Sequence, residues 1–357
     1  MLGKRQLGII YGGRSSEHEV SLRTAFSILQ AIDYERWTVL PLYIDVDGNW
    51  IQGEQFTSSP ADLNQIRLTN ASQPNLFNLK EIVDIVFPVI HGPYGEDGTL
   101  QGLLEMIDVP YVGSGVLASS IGMDKVKMKQ IFSLHQLPQV DYVFFSRRQI
   151  NQDIEQVCTT CEAKLNYPLF VKPANLGSSV GINKAKNREE LRRALLEAAR
   201  FDQKVIVEAF ADGREVEIGV LGNHADNLMT SVVGEVVSRA EFYDYTSKYQ
   251  DGGAELFIPA KIPDEVASKM ARLAKEAFLA LECSGLARVD FFWCEKDNRL
   301  LLNEINTMPG FTPYSMYPML FKEAGINYGD LIERLIDLGL ERYHDKKQNK
   351  VVVTKLD

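Results

Sequence analysis

Two short runs near the C-terminal end gather residue types that can do chemistry: Gly285-Leu-Ala-Arg288-Val-Asp290 and Leu302-Asn-Glu304-Ile-Asn306-Thr-Met-Pro-Gly310. Arg288 and Asp290 lie two apart in a strand-like run, as do Glu304 and Asn306, and side chains two apart on a strand share a face. Between the runs, Glu295-Lys-Asp-Asn-Arg299 is polar and turn-like, which predicts an antiparallel hairpin. A turn centred on Asp297 sets Asp290 opposite Glu304 and Arg288 opposite Asn306. Three hard oxygen ligands beside a guanidinium suit Mg²⁺ bridging phosphates, and do not suit zinc or a redox metal. The plainer alternative is a solvated face with a chance salt bridge. The run into Pro309-Gly310 favours a shaped site.

Five further stretches carry candidate groups. Gly12-Gly-Arg-Ser15-Ser16-Glu17-His18-Glu19 turns a strand into a helix and exposes backbone N–H groups at the helix start. Ser16 and Glu19 have capping-box spacing, which gives Glu19 a structural task. Glu17 is then open to two readings, a helix-dipole residue or a carboxylate for a substrate ammonium. Phe170-Val-Lys172-Pro-Ala-Asn-Leu-Gly177-Ser178-Ser179-Val-Gly181 sets a lysine at a strand end before a Gly/Ser loop, which fits nucleotide phosphates. Val205-Ile-Val-Glu208-Ala-Phe-Ala211, followed by Glu215 and Glu217, reads as a hinge whose backbone could pair with an adenine edge, with an acid beyond it for ribose. Phe242 to Gly253, with Tyr243, Tyr245, Lys248, Tyr249 and a Gly-Gly pair, reads as a lid. Finally, His91 sits in a glycine-rich loop at a strand's carboxyl end, where open α/β sheets place ligands. It is a candidate for proton transfer or phosphate contact.

These stretches must be positioned by about three units. A strand over 5–11, a helix over 16–32 and strands over 37–44 and 83–90 predict βαβ units and a parallel sheet. Helices follow at 99–107 and 116–136, and the stretch 53–80 reads as a long surface connection. Strands at 139–145, 168–173 and 204–209 with helices at 153–165 and 188–200 form a second unit. Strands at 214–222 and 228–237, a helix over 263–282, the hairpin and helices near 315–324 and 328–342 form the third. The residues from Asp345 onward read as a loosely held tail. Neither GxGxxG nor a Walker A loop occurs, which excludes a nicotinamide dehydrogenase and a P-loop kinase. A net charge of −10 argues against nucleic-acid binding, so any phosphate site must gather its cations locally. No apolar run approaches the roughly 18 residues of a membrane span. The N-terminus lacks a signal-peptide apolar region. A lone CxxC at Cys158 and Cys161 is weak evidence for zinc, and reduced thiols in a cytoplasmic protein are expected.

Taken in order, the Lys-Pro loop, acidic hinge, tyrosine-rich loop and Asp/Glu/Asn hairpin resemble the ATP-grasp fold. With Gly12-Gly-Arg-Ser-Ser-Glu-His-Glu-Val-Ser21 and the His91 loop, residues 5–342 resemble the D-alanine–D-alanine ligase family. The resemblance implies an α/β, three-domain ATP-grasp fold: an N-terminal parallel-sheet substrate domain over 1–119, a central subdomain over 120–212 and a catalytic subdomain over 213–357. Nucleotide would bind between the last two. It implies ATP-dependent joining of two D-alanines through an acyl phosphate, for peptidoglycan precursors. Asp290, Glu304 and Asn306 would hold two Mg²⁺ ions, with Mn²⁺ as a possible substitute. Lys125, Lys172, Ser179 and Lys248 would hold phosphates, and Glu208, Ala211 and Glu215 adenine and ribose. Arg288 and the Gly310 N–H would form an oxyanion hole. Glu17 would hold the first ammonium, with His91 beside it, and Ser315 the second carboxylate. Ser178 and Tyr249 would join Glu17 to pin the lid. A homodimer is a family expectation. Within the family, D-alanyl-D-lactate and D-alanyl-D-serine ligases are the rivals, and Tyr249 favours a dipeptide over the lactate ester. A nucleotide-binding regulator that has lost catalysis is the rival from another class, and the intact metal and oxyanion set argues against it.

Overall fold

In the computed structural model, residues 4–69, 72–177, 180–238 and 254–350 are described. Ser178, Ser179, Lys248, Tyr249 and the lid from Phe242 to Gly253 lie outside the described residues.

Three sheets organise the chain, each laid down by a contiguous stretch. The first has the order β3-β2-β1-β4, from β1 (Arg5–Gly12), β2 (Trp37–Ile44), β3 (Trp50–Gln52) and β4 (Ile85–Pro88). β1 runs parallel to β2 and β4. Every residue of β2 is buried, as continuous apolar strands covered on both faces should be. β1 ends at Gly12 and Gly13 with φ of 90° and 97°. A Cβ on Gly12 would lie 2.1 Å from the Ile44 carbonyl oxygen, so only glycine lets β1 turn here. The turn delivers the helix His18–Ala31.

The second sheet, β5-β8-β6-β7, comprises β5 (Tyr142–Ser146), β6 (Leu169–Pro173), β7 (Asn183–Ala185) and β8 (Lys204–Ala209), all antiparallel. The third, β11-β10-β9-β12-β13, comprises β9 (Arg214–Gly222), β10 (Met229–Ser238), β11 (Ala254–Phe257), β12 (Gly285–Cys294) and β13 (Arg299–Asn306). One face of this sheet is apolar: Val216, Ile218, Val220, Val289 and Phe291 pack with Met270, Leu273, Ala277 and Phe278 of the helix Asp264–Ala280. Alternate residues of β9 and β12 point the other way: Glu215, Glu217, Arg288 and Asp290 lie on the cleft end of that face, while Gly219 meets Phe321 and Tyr317, and Leu221 and Leu286 join the core of the first unit.

Several boundaries differ from the sequence reading for identifiable reasons. The expected helix over 116–136 is two, Val116–Met123 and Lys125–Leu134, because Asp124 caps the second by accepting from the N–H groups of Val126 and Lys127. The Ser16–Glu19 capping box does not form. The helix begins at His18 without a side-chain cap, and Glu19 instead pairs with Arg67 at 2.5 Å. The connection after β3 is not purely superficial, since Ile66 is buried and its carbonyl accepts from the Tyr11 hydroxyl at 2.8 Å. The expected tail begins later, because the last helix, Tyr328–Lys346, continues through Asp345. Lys346 and Lys347 close ion pairs with Glu105 and Asp108.

Two helices cross between units. Met128 and Phe132 of the helix Lys125–Leu134 join the apolar core of the third sheet. Leu331, Ile332, Leu335 and Ile336 of the last helix join the core of the first, beside Leu7, Ile9 and Phe87. That seam is close: a Cβ on Gly339 would lie 2.8 Å from the Tyr111 carbonyl oxygen and 2.9 Å from Ile85. Gly339→Ala gains helix propensity of about 1 kcal/mol, but a carbonyl cannot yield as a side chain can. A net destabilisation of about 1–3 kcal/mol is expected, read by denaturant unfolding.

Candidate active site

The hairpin has the expected pairing at its charged end: Arg288 lies opposite Asn306 and Asp290 opposite Glu304. A β-bulge follows between Asp290 and Phe291, so Phe291 faces Leu302 and Asn303 is the extra residue. Beyond it the strands shift by one residue, which keeps Leu300 and Leu302 in the core. On the other side of β12, Asp290 faces Glu217 and Phe292 faces Glu215 of β9. One sheet face thus carries Glu215, Glu217, Arg288, Asp290, Glu304 and Asn306.

Arg288 organises this face. Its Nε and Nη2 donate to the two oxygens of Asp290 at 2.7 Å each, a bidentate fork. Its Nε is also 2.9 Å from Glu217. Burial works against the guanidinium charge, but Asp290 and Glu217 outweigh it and hold the group cationic. Asn306 Nδ2 donates to Asp290 at 2.9 Å, leaving the Asn306 amide oxygen as a further hard donor. No group of three His, Cys, Asp or Glu side chains forms a metal cage among the described residues. The oxygen donors Asp290, Glu304 and Asn306 fit Mg²⁺, which takes few protein ligands and completes its shell with phosphate oxygens and water.

The second sheet supplies the cations. Lys172, at the end of β6, donates to Glu208 of β8 at 2.5 Å. Lys129, on the helix Lys125–Leu134, lies 2.9 Å from the other Glu208 oxygen. Burial alone would raise the Glu208 carboxyl, yet the two lysines bring it down to about 2. Lys125 donates to the Leu176 carbonyl at 2.8 Å and lies 3.7 Å from Glu304, so it spans the two sheets. The cleft between them is lined by Lys125, Leu176, Gly177, Glu304, Asn306 and, from the first unit, Glu96. Beyond β8, Phe210 stacks on Phe170 with 6.0 Å between ring centroids, and the Ala211 carbonyl accepts from Gly213. Glu215 is exposed at the start of β9.

From the first unit, the Glu17 carboxylate lies 2.8 Å from where a Cβ on Gly92 would stand and 3.5 Å from one on Gly177. Glu17 therefore reaches the Gly/Ser loop of the second unit. His91 is buried, with Nε2 3.2 Å from Thr24 and Nδ1 3.5 Å from Glu96. Burial disfavours its charge, but Glu96, aided by Glu17, raises the imidazole above its ordinary value. His18 is structural, bonding the Gly13 carbonyl and the Tyr43 hydroxyl. Ser315 sits against Gly310: a Cβ there would be 3.2 Å from its Oγ, which accepts from the Thr312 N–H. Four cysteines are free and buried, and burial raises the Cys158 and Cys161 thiols, against redox use.

Sequence reasoning gave no role to Lys129 or Glu96, and named Glu217 only together with Glu215 in the hinge stretch. Lys129 lies four residues after Lys125, one helical turn along the same face, and that spacing was its signal. Glu217 had the strand period, two after Glu215. Glu96 had no signal beyond its acidic loop.

Residues 6–114 match the family described as D-ala D-ala ligase N-terminus, and residues 131–337 match D-ala D-ala ligase C-terminus. The D-alanine–D-alanine ligase of Geobacillus kaustophilus (strain HTA426) is 48% identical across 96% of this chain and 97% of its own length. The chain belongs to the D-alanine–D-alanine ligase family. It is an ADP-forming ligase that joins two D-alanines for cell-wall synthesis, using ATP and a divalent metal. The corresponding ligase of Staphylococcus haemolyticus (strain JCSC1435) is 47% identical, with 98% of this chain and 99% of that protein covered. Among solved structures, the Coxiella burnetii D-alanine-D-alanine ligase superposes with a TM-score of 0.80 at 30% identity, over 97% of this chain and 96% of that one. The VanG D-Ala:D-Ser ligase from Enterococcus faecalis gives 0.82 at 35% identity, over 94% and 100%. The fold of this ligase is the ATP-grasp fold of these relatives.

The Glu208 carboxyl gives the ligase a stability that depends on acid. Its folded pKa is depressed from 4.5 to about 2, so its contribution is full above pH 4.5 and is lost as pH falls through that window. The parent should lose about 2 kcal/mol through this group between pH 6 and pH 3. Glu208→Gln should be less stable at pH 6, because two buried lysines lose their anion, yet lose correspondingly less on acidification. Denaturant titrations at the two pH values check this.

Proposed function

We propose that the ligase runs its reaction where the three units meet, with the division 1–119, 120–212 and 213–357. A carboxylate oxygen of the first D-alanine attacks the γ-phosphorus of ATP, and ADP leaves. The amine of the second attacks the acyl carbon and loses a proton, and the bond from that carbon to the phosphate oxygen breaks, releasing inorganic phosphate. The observation that carries this reading is the hairpin pairing, which gathers Arg288, Asp290, Glu304 and Asn306 on one face of the cleft.

Glu17 holds the first ammonium, beside His91. Lys125, Lys172, Ser179 and Lys248 hold the phosphates. Glu208, Ala211 and Glu215 bind adenine and ribose, partly through the backbone. Asp290, Glu304 and Asn306 would hold two Mg²⁺ ions, or Mn²⁺ in their place, which would supply positive charge to offset that of the phosphate oxygens. Arg288 and the Gly310 N–H receive the oxyanion, and Ser315 the second carboxylate. Ser178 and Tyr249 join Glu17 to close the lid, which keeps water from the acyl phosphate. The reaction is cytoplasmic and the assembly a homodimer. The relatives named D-alanine–D-alanine ligase at 47–48% identity support D-alanyl-D-alanine as the product over the D-serine alternative.

The test is ADP release with MgATP and D-alanine, with the product identified by mass and D-serine and D-lactate as competitors. D-alanyl-D-alanine is expected. Turnover only after a second acid is added would move the second-substrate assignment. Arg288→Ala is expected to lower kcat by about 100-fold or more, as loss of an oxyanion donor does, while KM for ATP changes far less. An unchanged kcat removes Arg288 from that role.

A further inference from the structure

We propose that Lys129 is a positioning residue for ATP: it occupies one oxygen of Glu208 so that Lys172 keeps its charge available to the nucleotide phosphates. This rests on the assignment of Lys172 to those phosphates.

Lys129 is 1% exposed and its ion-pair partner Glu208 is 2% exposed, so both groups are cut off from water. Burying a second ammonium is expensive, and Lys172 alone, 2.5 Å from Glu208, already neutralises that carboxylate. Two cations around one anion leave the cluster with an excess positive charge facing the cleft. The Lys129 ammonium lies 2.9 Å from Glu208 Oε1 and 5.9 Å from the centre of the Tyr142 ring, and it makes no hydrogen bond to another acceptor among the described residues. Tyr142 is the neighbour of Glu208 across β5 and β8, so strand pairing and ion pair hold the carboxylate from two sides. Were Lys129 absent, Lys172 would be the sole counter-ion of Glu208 and the pair would be neutral. Phosphates would then meet no net charge there. Lys129 itself is too enclosed to touch the nucleotide.

The experiment compares Lys129→Met and Lys129→Arg with the parent by steady-state kinetics, and by thermal melting to establish folding. Lys129→Met is expected to raise KM for ATP about tenfold or more and leave KM for D-alanine within about twofold. Lys129→Arg, which keeps the charge, should return KM for ATP to within about threefold of the parent. A role in folding alone would lower the melting temperature and shift both KM values together. The proposal is overturned if KM for ATP stays within twofold in Lys129→Met, or if both substrates suffer alike. If Lys129→Met does not fold, Lys129→Arg decides: a tenfold loss for ATP despite the retained charge overturns it. A parent enzyme that neither binds nor turns over MgATP would count against the proposed function, whereas an active parent indifferent to Lys129 counts against this inference alone.

Discussion

Strand register is the constraint on which the site depends. β12 and β13 alternate between a core face and a cleft face, and the side-chain period of two leaves no intermediate setting. A slip of one residue would drive Asp290 and Glu304 into the apolar core beside Met270 and Phe278 and expose Val289 and Ile305. The core members Val289, Phe291, Leu302 and Ile305 therefore enforce the position of the charged residues. The bulge at Asn303 separates two tasks that one uninterrupted pairing could not serve together. On one side the pairing sets Asp290 against Glu304, and on the other it keeps the leucines inward.

The two sheets that face each other across the cleft carry opposite charge. The third sheet presents four carboxylates and one guanidinium, while the second and the helix beside it present Lys125, Lys129 and Lys172 with Glu208 among them. Each side satisfies itself internally: Arg288 with Asp290 and Glu217, Lys172 with Glu208. Only Lys125 to Glu304, at 3.7 Å, reaches directly across among these ion pairs.

Much of this was legible in the sequence, for definable reasons. Alternation exposed the hairpin and its facing pairs, since register follows from a period of two and a short turn. The Gly12-Gly13 turn was legible because only glycine can take its backbone angles. The capping box was misread because Glu19 found a better partner in Arg67, 48 residues on, and such a tertiary pair leaves no local trace. The break at Asp124 was hidden within a run of good helix formers, although Asp is a favoured cap. Lys129 and Glu217 had periodicity in their favour, but their importance comes from which residues of other elements meet them. The His91 loop stood out by its glycines, while the burial of His91 against Glu96 and Thr24 left no local trace.

The last helix has a consequence for how the chain reaches this state. Leu331, Leu335 and Ile336 complete the core that begins with Leu7 and Ile9, and Trp37 donates to Glu333 at 3.0 Å. A chain emerging from the ribosome presents β1, β2 and β4 early, but the surface meant for this helix stays uncovered until residues 328–346 have been made. A unit begun early is thus sealed only when this helix arrives, and its exposed apolar strands must be kept from neighbouring nascent chains in the interval.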